Sequence, residues 1–338
     1  MISNETQRPL KHEAYEAGLD MICMIIPLLA MAVYFYSLRP VVICLLAIFT
    51  AKICDRIVAM LRSTKYDKTE NTSVALSLVL VMMFPASINY YVVIVSVCIA
   101  VFIGKAAFGG YGSYPFSPAA LGYAVAAVSW PTQVFKYPIP FSMTAQNVFS
   151  TESLTLIESS AHTLKSGGLP NISTFNLFLG NYAGPMGATA VLVILACASF
   201  LWVRRRITLT APISFIASCM LIAYLFPRLG DIGVSLPWVN VDIRLQMIKY
   251  EILSGAMLFA SVFLINDPVT LPKNEISRCI YGITLGVATM MFRYYGNYDT
   301  GVCFALLAVN SLSGYIDRVV IRFTTAQKGV RIRETRTN

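Results

Sequence analysis

The sequence predicts an all-α polytopic membrane protein, with ten transmembrane helices forming two inverted five-helix repeats that contain broken helices. Three observations carry that reading. Of 338 residues, 57% are hydrophobic and 13% charged, where a soluble domain carries about 25% charged residues. Ten apolar runs follow one another, at 21–37, 40–61, 73–84, 87–104, 118–130, 186–203, 209–226, 250–265, 277–293 and 299–316. At about 1.5 Å per residue they suit roughly 30 Å of hydrocarbon, the short third and fifth with help from tilt or their flanks. A four-residue pattern also recurs: Tyr111 to Tyr114 reads YGSY between runs four and five, and Tyr295 to Tyr298 reads YGNY between runs nine and ten. Five crossings per half force related halves into opposite orientations, the arrangement that places ligand and ion sites where the halves meet.

The N-terminal residues 1–20 are polar and mixed in charge. They lack the order of charged region, apolar region and small-residue cleavage site, so the first run reads as a true helix. With the N-terminus inside, the inner connections hold 17 Lys and Arg and the outer ones 7, the latter including Arg39, Arg244 and Arg293, with Lys105 among the inner. That bias places both termini in the cytoplasm of a cell membrane protein. The chain divides into a cytoplasmic segment 1–20, a first half 21–130, an extracytoplasmic interval 131–185, a second half 186–316 and a basic cytoplasmic tail 317–338. The net charge of +9 then reads as positive-inside bias beside a lipid bilayer, not as a nucleic-acid surface. All eight cysteines fall within apolar runs without a C-x-x-C pair, which fits packing better than metal ligation. His12 and His162 both lie outside the runs, excluding a membrane haem held by two histidines.

Breaks are legible at the third element of each half. Run three ends in MMFPAS (Met82 to Ser87) and run eight in INDPVTLP (Ile265 to Pro272); Pro85 and Pro268 each remove a backbone donor and disfavour helix before them. The stretch FGGYGSYPFSPAALG (Phe108 to Gly122) holds four glycines and two prolines. It is either an exposed re-entry turn or a loop whose bare backbone at Gly110, with the aromatic faces of Tyr111, Tyr114 and Phe116, approaches a planar ligand. Asn266, Asp267 and Thr270 bring hard oxygens suited to a small cation to the end of a span. Asp before Pro is equally a helix start signal.

The segments FGGYGSYPFSPAALGYA, FLINDPVTLP and NSLSGYIDR resemble, in order and spacing, the signatures of a family of membrane subunits. It contains the D subunit of the Rnf ion-translocating ferredoxin:NAD oxidoreductase complex and the longer B subunit of the sodium-translocating NADH:quinone oxidoreductase. The resemblance runs from about residue 20 to residue 320, and the chain's length favours the Rnf member of the pair. It implies ten helices in two inverted halves, and a component of a redox-driven translocase for Na⁺ or H⁺ with no activity in isolation. Ferredoxin and NAD would bind other subunits. It also implies FMN joined through its phosphate to a hydroxyl by a flavin transferase, and a second, non-covalent flavin such as riboflavin.

The family attaches FMN at a Ser-Gly-Ala-Thr type motif, which falls here on Ser150, Thr151, Glu152 and Ser153. Ser153 is the implied attachment oxygen, with Thr151 second. Glu152 departs from the pattern and sets a negative charge beside the phosphate. Read from the residues alone, Leu154, Ile157, Ala161 and Leu164 recur at near-helical spacing, so Ser150 also reads as an N-cap of a helix running to Lys165 and stopped by Gly167 and Gly168. Two other functions stay open on these residues: a flavin-free secondary transporter or channel, and a scaffold subunit without covalent FMN.

Overall fold

The computed structural model describes residues 4–63, 71–148, 154–227, 241–296, 298 and 300–337, with their side chains from residue 15 to residue 323 apart from residue 145. The first half comprises α1 (Asn4–Tyr36), α2 (Arg39–Leu61), α3 (Thr72–Met82), α4 (Tyr90–Ile99) and α5 (Pro118–Ser129). Helix α4 continues as a π-helix, Ala100–Ala106. Between the halves lie α6 (Pro131–Val134), an antiparallel pair of strands β1 (Lys136–Pro138) and β2 (Leu156–Glu158), and the short helices α7 (Ser160–Lys165) and α8 (Thr174–Leu179). The second half comprises α9 (Val191–Val203), α10 (Thr210–Leu225), α11 (Val241–Leu253), α12 (Met257–Phe263), α13 (Glu275–Tyr295) and α14 (Val302–Thr337).

Every apolar run thus contains helix, and the eighth differs from expectation. Its helix starts earlier, at Val241, and breaks inside the run, because Gly255 sits at φ +85°, a left-handed conformation that ends α11 and lets α12 start afresh. Among the described residues, two segments, Tyr15–Tyr36 and Val302–Phe323, are long and apolar enough to cross a membrane by themselves, and five more apolar helices are shorter.

Several helix pairs pack within each half of the chain. In the first, α1 packs on α3, α2 on α3 and α4, and α4 on α5; in the second, α9 packs on α12, α10 on α12 and α13, and α13 on α14. Contacts of α1 with α9 and α5 with α14 join them. At the turn between α9 and α10, Arg204 and Arg206 reach Asp20 of α1 at 3.0 and 2.6 Å, fastening the start of the second half to the first helix.

The α10–α13 crossing rests on Gly282 and Gly286, four residues apart on one face of α13. A Cβ on either would collide with Ser214 Oγ or Ser218 Oγ of α10. Small residues at this spacing let two helix backbones approach closely where no hydrophobic drive separates lipid from helix. Gly286→Leu is expected to destabilise the protein by about 1–3 kcal/mol through overpacking, and Gly286→Ala by less; thermal unfolding of the detergent-solubilised protein measures both.

The helix expected from residue 151 to Lys165 is corrected for the residues described. Leu156 to Glu158 are strand, paired with Lys136 to Pro138 in the register Lys136 opposite Glu158, and the exposed Leu156 and Ile157 pack on no core. Helix starts only at Ser160, where the Ser159 side chain accepts a hydrogen bond from the His162 amide at 3.1 Å. Four cations counted as connection charges are also buried: Arg39, Lys105, Arg244 and Arg293. Each is bonded inside the protein, Arg244 to the carbonyls of Tyr224 and Leu225 at the end of α10 and Arg293 to Glu251 at 2.7 Å.

Candidate functional site at the two helix breaks

Pro85 ends the ladder after α3 and leaves carbonyls without helical donors. The structure satisfies them from outside. Gly187 N donates to Met82 O at 2.9 Å and Met186 N to Phe84 O at 3.0 Å, so the residues that open the second half close the break in the first. Gly187 has to be glycine, because a Cβ there would stand 2.6 Å from Met82 Cβ. The buried Arg39 guanidinium takes the rest: Nε donates to Ala86 O at 2.7 Å, Nη2 to Ile88 O at 2.8 Å, and Nη1 to Asn147 O at 2.7 Å and Val148 O at 3.1 Å. Tyr90 donates its hydroxyl to Val148 O at 2.5 Å and lies under the Arg39 guanidinium, 4.7 Å from the ring centre.

The second break is closed mostly from within its own half, with one donor, Tyr114, from the first. Asn266 Nδ2 donates to Ser261 O at 3.1 Å, capping α12, while its Oδ1 accepts from Thr208 N at 3.2 Å at the start of α10. Asp267 Oδ1 accepts from Val269 N at 3.1 Å and from the Tyr114 hydroxyl at 3.1 Å. The helix-start reading of Asp267 therefore becomes a local turn, since α13 begins only at Glu275. That turn uses one carboxylate oxygen. The other, Oδ2, is buried without a hydrogen-bond partner among the described residues, and so is Thr270 Oγ1. Buried acceptors of this kind are costly unless something fills them. Asp267 lies beyond the end of its span, and burial pushes its carboxyl up to about 6, with the bonds from Val269 and Tyr114 acting against the rise.

The Gly-rich loop owes its path to Gly109, Gly110 and Gly112, at φ +110°, +105° and +89°, conformations that side chains with a Cβ rarely adopt. Arg62 braces it through Gly109 O at 3.2 Å. Tyr114 is buried and anchors the loop through Asp267, its ring edge-on to Tyr111 at 6.4 Å. Phe116 packs edge-on to Phe108 at 6.2 Å. Tyr111 and Phe116 stay half-buried, and a Cβ at Gly112 would meet nothing within 4 Å, so the loop leaves bare backbone between two aromatic edges.

Residues 6–325 match the NQR2, RnfD, RnfE family. The chain belongs to that family. Among its relatives, a protein of Actinobacillus succinogenes, named as the D subunit of an ion-translocating oxidoreductase complex, is 27% identical over 326 residues, spanning 87% of this chain and 88% of the relative. The protein of the same name from Escherichia fergusonii is 26% identical over 351 residues, spanning 94% and 96%.

In this member of the NQR2, RnfD, RnfE family, the loop residue Tyr114 and the break residue Asp267, singled out separately from sequence, are joined by one hydrogen bond. Ser150, Thr151, Glu152 and Ser153 lie outside the described residues; the chain leading to them is pinned at Asn147 and Val148 by Arg39 and Tyr90. Sequence reasoning missed Arg39 and Gly187 as the groups that close the first break. For Arg39 a signal existed, an arginine followed by proline at the start of an apolar run, a place where a charge needs a specific use.

Proposed function

We propose that this chain is a membrane subunit of an ion-translocating oxidoreductase complex, crossing the bilayer ten times in two inverted halves with both termini in the cytoplasm, and that it holds flavin. One observation carries the reading. Where α12 ends, Asp267 Oδ2 and Thr270 Oγ1 are buried hard oxygens without a partner among the described residues, and Asp267 is held by a donor from the other half. A carboxylate and a hydroxyl so placed suit a small monovalent cation, and the Tyr114 bond lets movement of the Gly-rich loop alter that site.

In this reading two places would hold flavin. Ser153, with Thr151 as second choice, would take the FMN phosphate on the outer segment, delivered by a flavin transferase. Gly110, Tyr111 and Phe116 would flank a non-covalent flavin such as riboflavin, since three positive-φ glycines keep the backbone bare enough for a planar ring, while Tyr114 holds the loop. The flavin supplies electron transfer; the protein supplies position and shielding. Ferredoxin and NAD would be handled by the other subunits. Asn266, which caps α12 and fastens it to α10, keeps the break open beside Asp267.

Moving one charge against about 100 mV costs roughly 2.3 kcal/mol, within reach of a two-electron step of about 50 mV, given that 30 mV corresponds to about 1.4 kcal/mol. The test is peptide mass spectrometry of the protein coexpressed with its flavin transferase. An FMN increment on the peptide spanning Ser150 to Ser153, lost in Ser153→Ala, is expected. An unmodified peptide would remove the covalent site and leave the loop as the flavin contact.

A further inference from the structure

Lys105 is the least expected charge in the first half. It is about 4% exposed, and lysine is rarely buried so fully unless paired. Its Nζ donates to Thr72 Oγ1 and to Ser73 Oγ, each at 2.7 Å, and stands 4.0 Å from Asp55 Oδ1; Ser73 Oγ donates in turn to Asp55 Oδ1 at 2.7 Å. Two hydroxyl oxygens and a carboxylate, contributed by α2 and the first turn of α3, form a set of hard oxygens around one monovalent positive charge. An ammonium group satisfies oxygens of this kind by donating its protons, two of them here to Thr72 and Ser73, and a small alkali cation satisfies them by coordination.

The element that delivers Lys105 adds a second observation. It lies in the π-helix Ala100–Ala106, where Ala107 N reaches back five residues to Phe102 O at 2.8 Å. Such bulges recur at functional sites. Resolving one to regular α-helix shifts the register by a residue, about 100° of rotation, which would carry the ammonium out of its oxygens without moving α2 or α3. The loop that begins at Ala107 ends at Tyr114 on Asp267. The other half contrasts: the buried cation of α13, Arg293, faces Glu251 at 2.7 Å with a guanidinium, a broad planar group that no alkali ion mimics.

We propose that Asp55, Thr72 and Ser73 form a monovalent-cation site in which the Lys105 ammonium is the resident occupant, and that the transported cation enters by displacing it. This rests on the reading of the chain as part of a cation translocase. Lys105 then acts as a tethered competitor that holds the site closed until the π-helix shifts.

The experiment uses the assembled complex in sealed vesicles, with reduced ferredoxin and NAD as reactants and ²²Na⁺ uptake as the probe, recorded against external Na⁺. Lys105→Met removes the competitor at nearly constant length, and the half-saturating Na⁺ concentration is expected to fall about tenfold; Asp55→Asn should raise it at least tenfold. If Lys105→Met does not assemble, the double variant Thr72→Val with Ser73→Ala keeps both charges, and its half-saturating concentration should rise. A merely structural role lowers the amount of assembled complex but leaves half-saturation per complex unchanged, and that result overturns the inference. Absence of ²²Na⁺ uptake by the unaltered complex would instead overturn sodium translocation itself, and this site with it.

Discussion

Asp267→Asn is expected to lower cation uptake by the complex at least tenfold while leaving the protein folded and assembled. The amide keeps an oxygen to accept from Val269 and Tyr114, so the two bonds that shape the turn survive. What disappears is the carboxylate charge at the unpartnered position, the part of the side chain that the fold does not use. Neutralising a buried group that burial already disfavours in its charged form does not weaken the fold, so thermal stability should be unchanged or slightly higher. The sign of the pH effect follows from the raised carboxyl. With its value pushed up to about 6, Asp267 is neutral below that pH and charged above it. Cation-dependent turnover should therefore fall as pH drops through about 6, at values where an ordinary aspartate stays charged, and Asp267→Asn should lack that acid limb. Turnover against pH for both proteins, measured per assembled complex, checks the point.

Arg39→Ala is expected to be the most damaging single change in the first half. Its guanidinium donates to four carbonyls from two stretches of chain, and three of those bonds are buried. Each buried acceptor left without a donor costs about 1–3 kcal/mol, which puts the total at about 3 kcal/mol or more. Arg39→Lys keeps the charge but lacks the planar fork, and should recover only part. Because Asn147 loses its anchor and Val148 keeps only the Tyr90 hydroxyl, protease cleavage after Val148 should accelerate more than cleavage elsewhere, and flavin incorporation at Ser153 should drop with it. Limited proteolysis with peptide mapping reads the first effect, and in-gel flavin fluorescence the second.

Much of the fold could be read from sequence because its signals are local. Apolar runs, a proline that removes a donor and glycines at positive φ each act within a few residues, and every expected run contains helix. The break after Ile265 and the loop at Gly109 to Gly112 lie where Pro268 and the glycines put them. The rest depends on contacts between distant parts of the chain. Nothing local to Arg39 says that its partners are Ala86, Ile88, Asn147 and Val148, and nothing local to Gly187 says that Met82 is its neighbour. The Leu154, Ile157, Ala161 and Leu164 spacing misled because β1, some twenty residues earlier, offers Leu156 to Glu158 a backbone ladder that outweighs a weak helical pattern. Counting Lys105 and Arg293 by their position in the sequence likewise treated as solvated two charges that are consumed inside the protein. For the site, composition singled out Asp267 and Tyr114, and only the packing of the two halves joins them.

The most direct test of the account is to reconstitute the complete complex in sealed vesicles and record electron transfer and cation uptake together, following both ²²Na⁺ and internal pH. Uptake should start and stop with electron flow, and should fall to background when the complex carries Asp267→Asn or is assembled without this chain. Cation uptake that persists at full rate with Asp267→Asn, or electron flow through the intact complex that moves neither sodium nor protons, would contradict it.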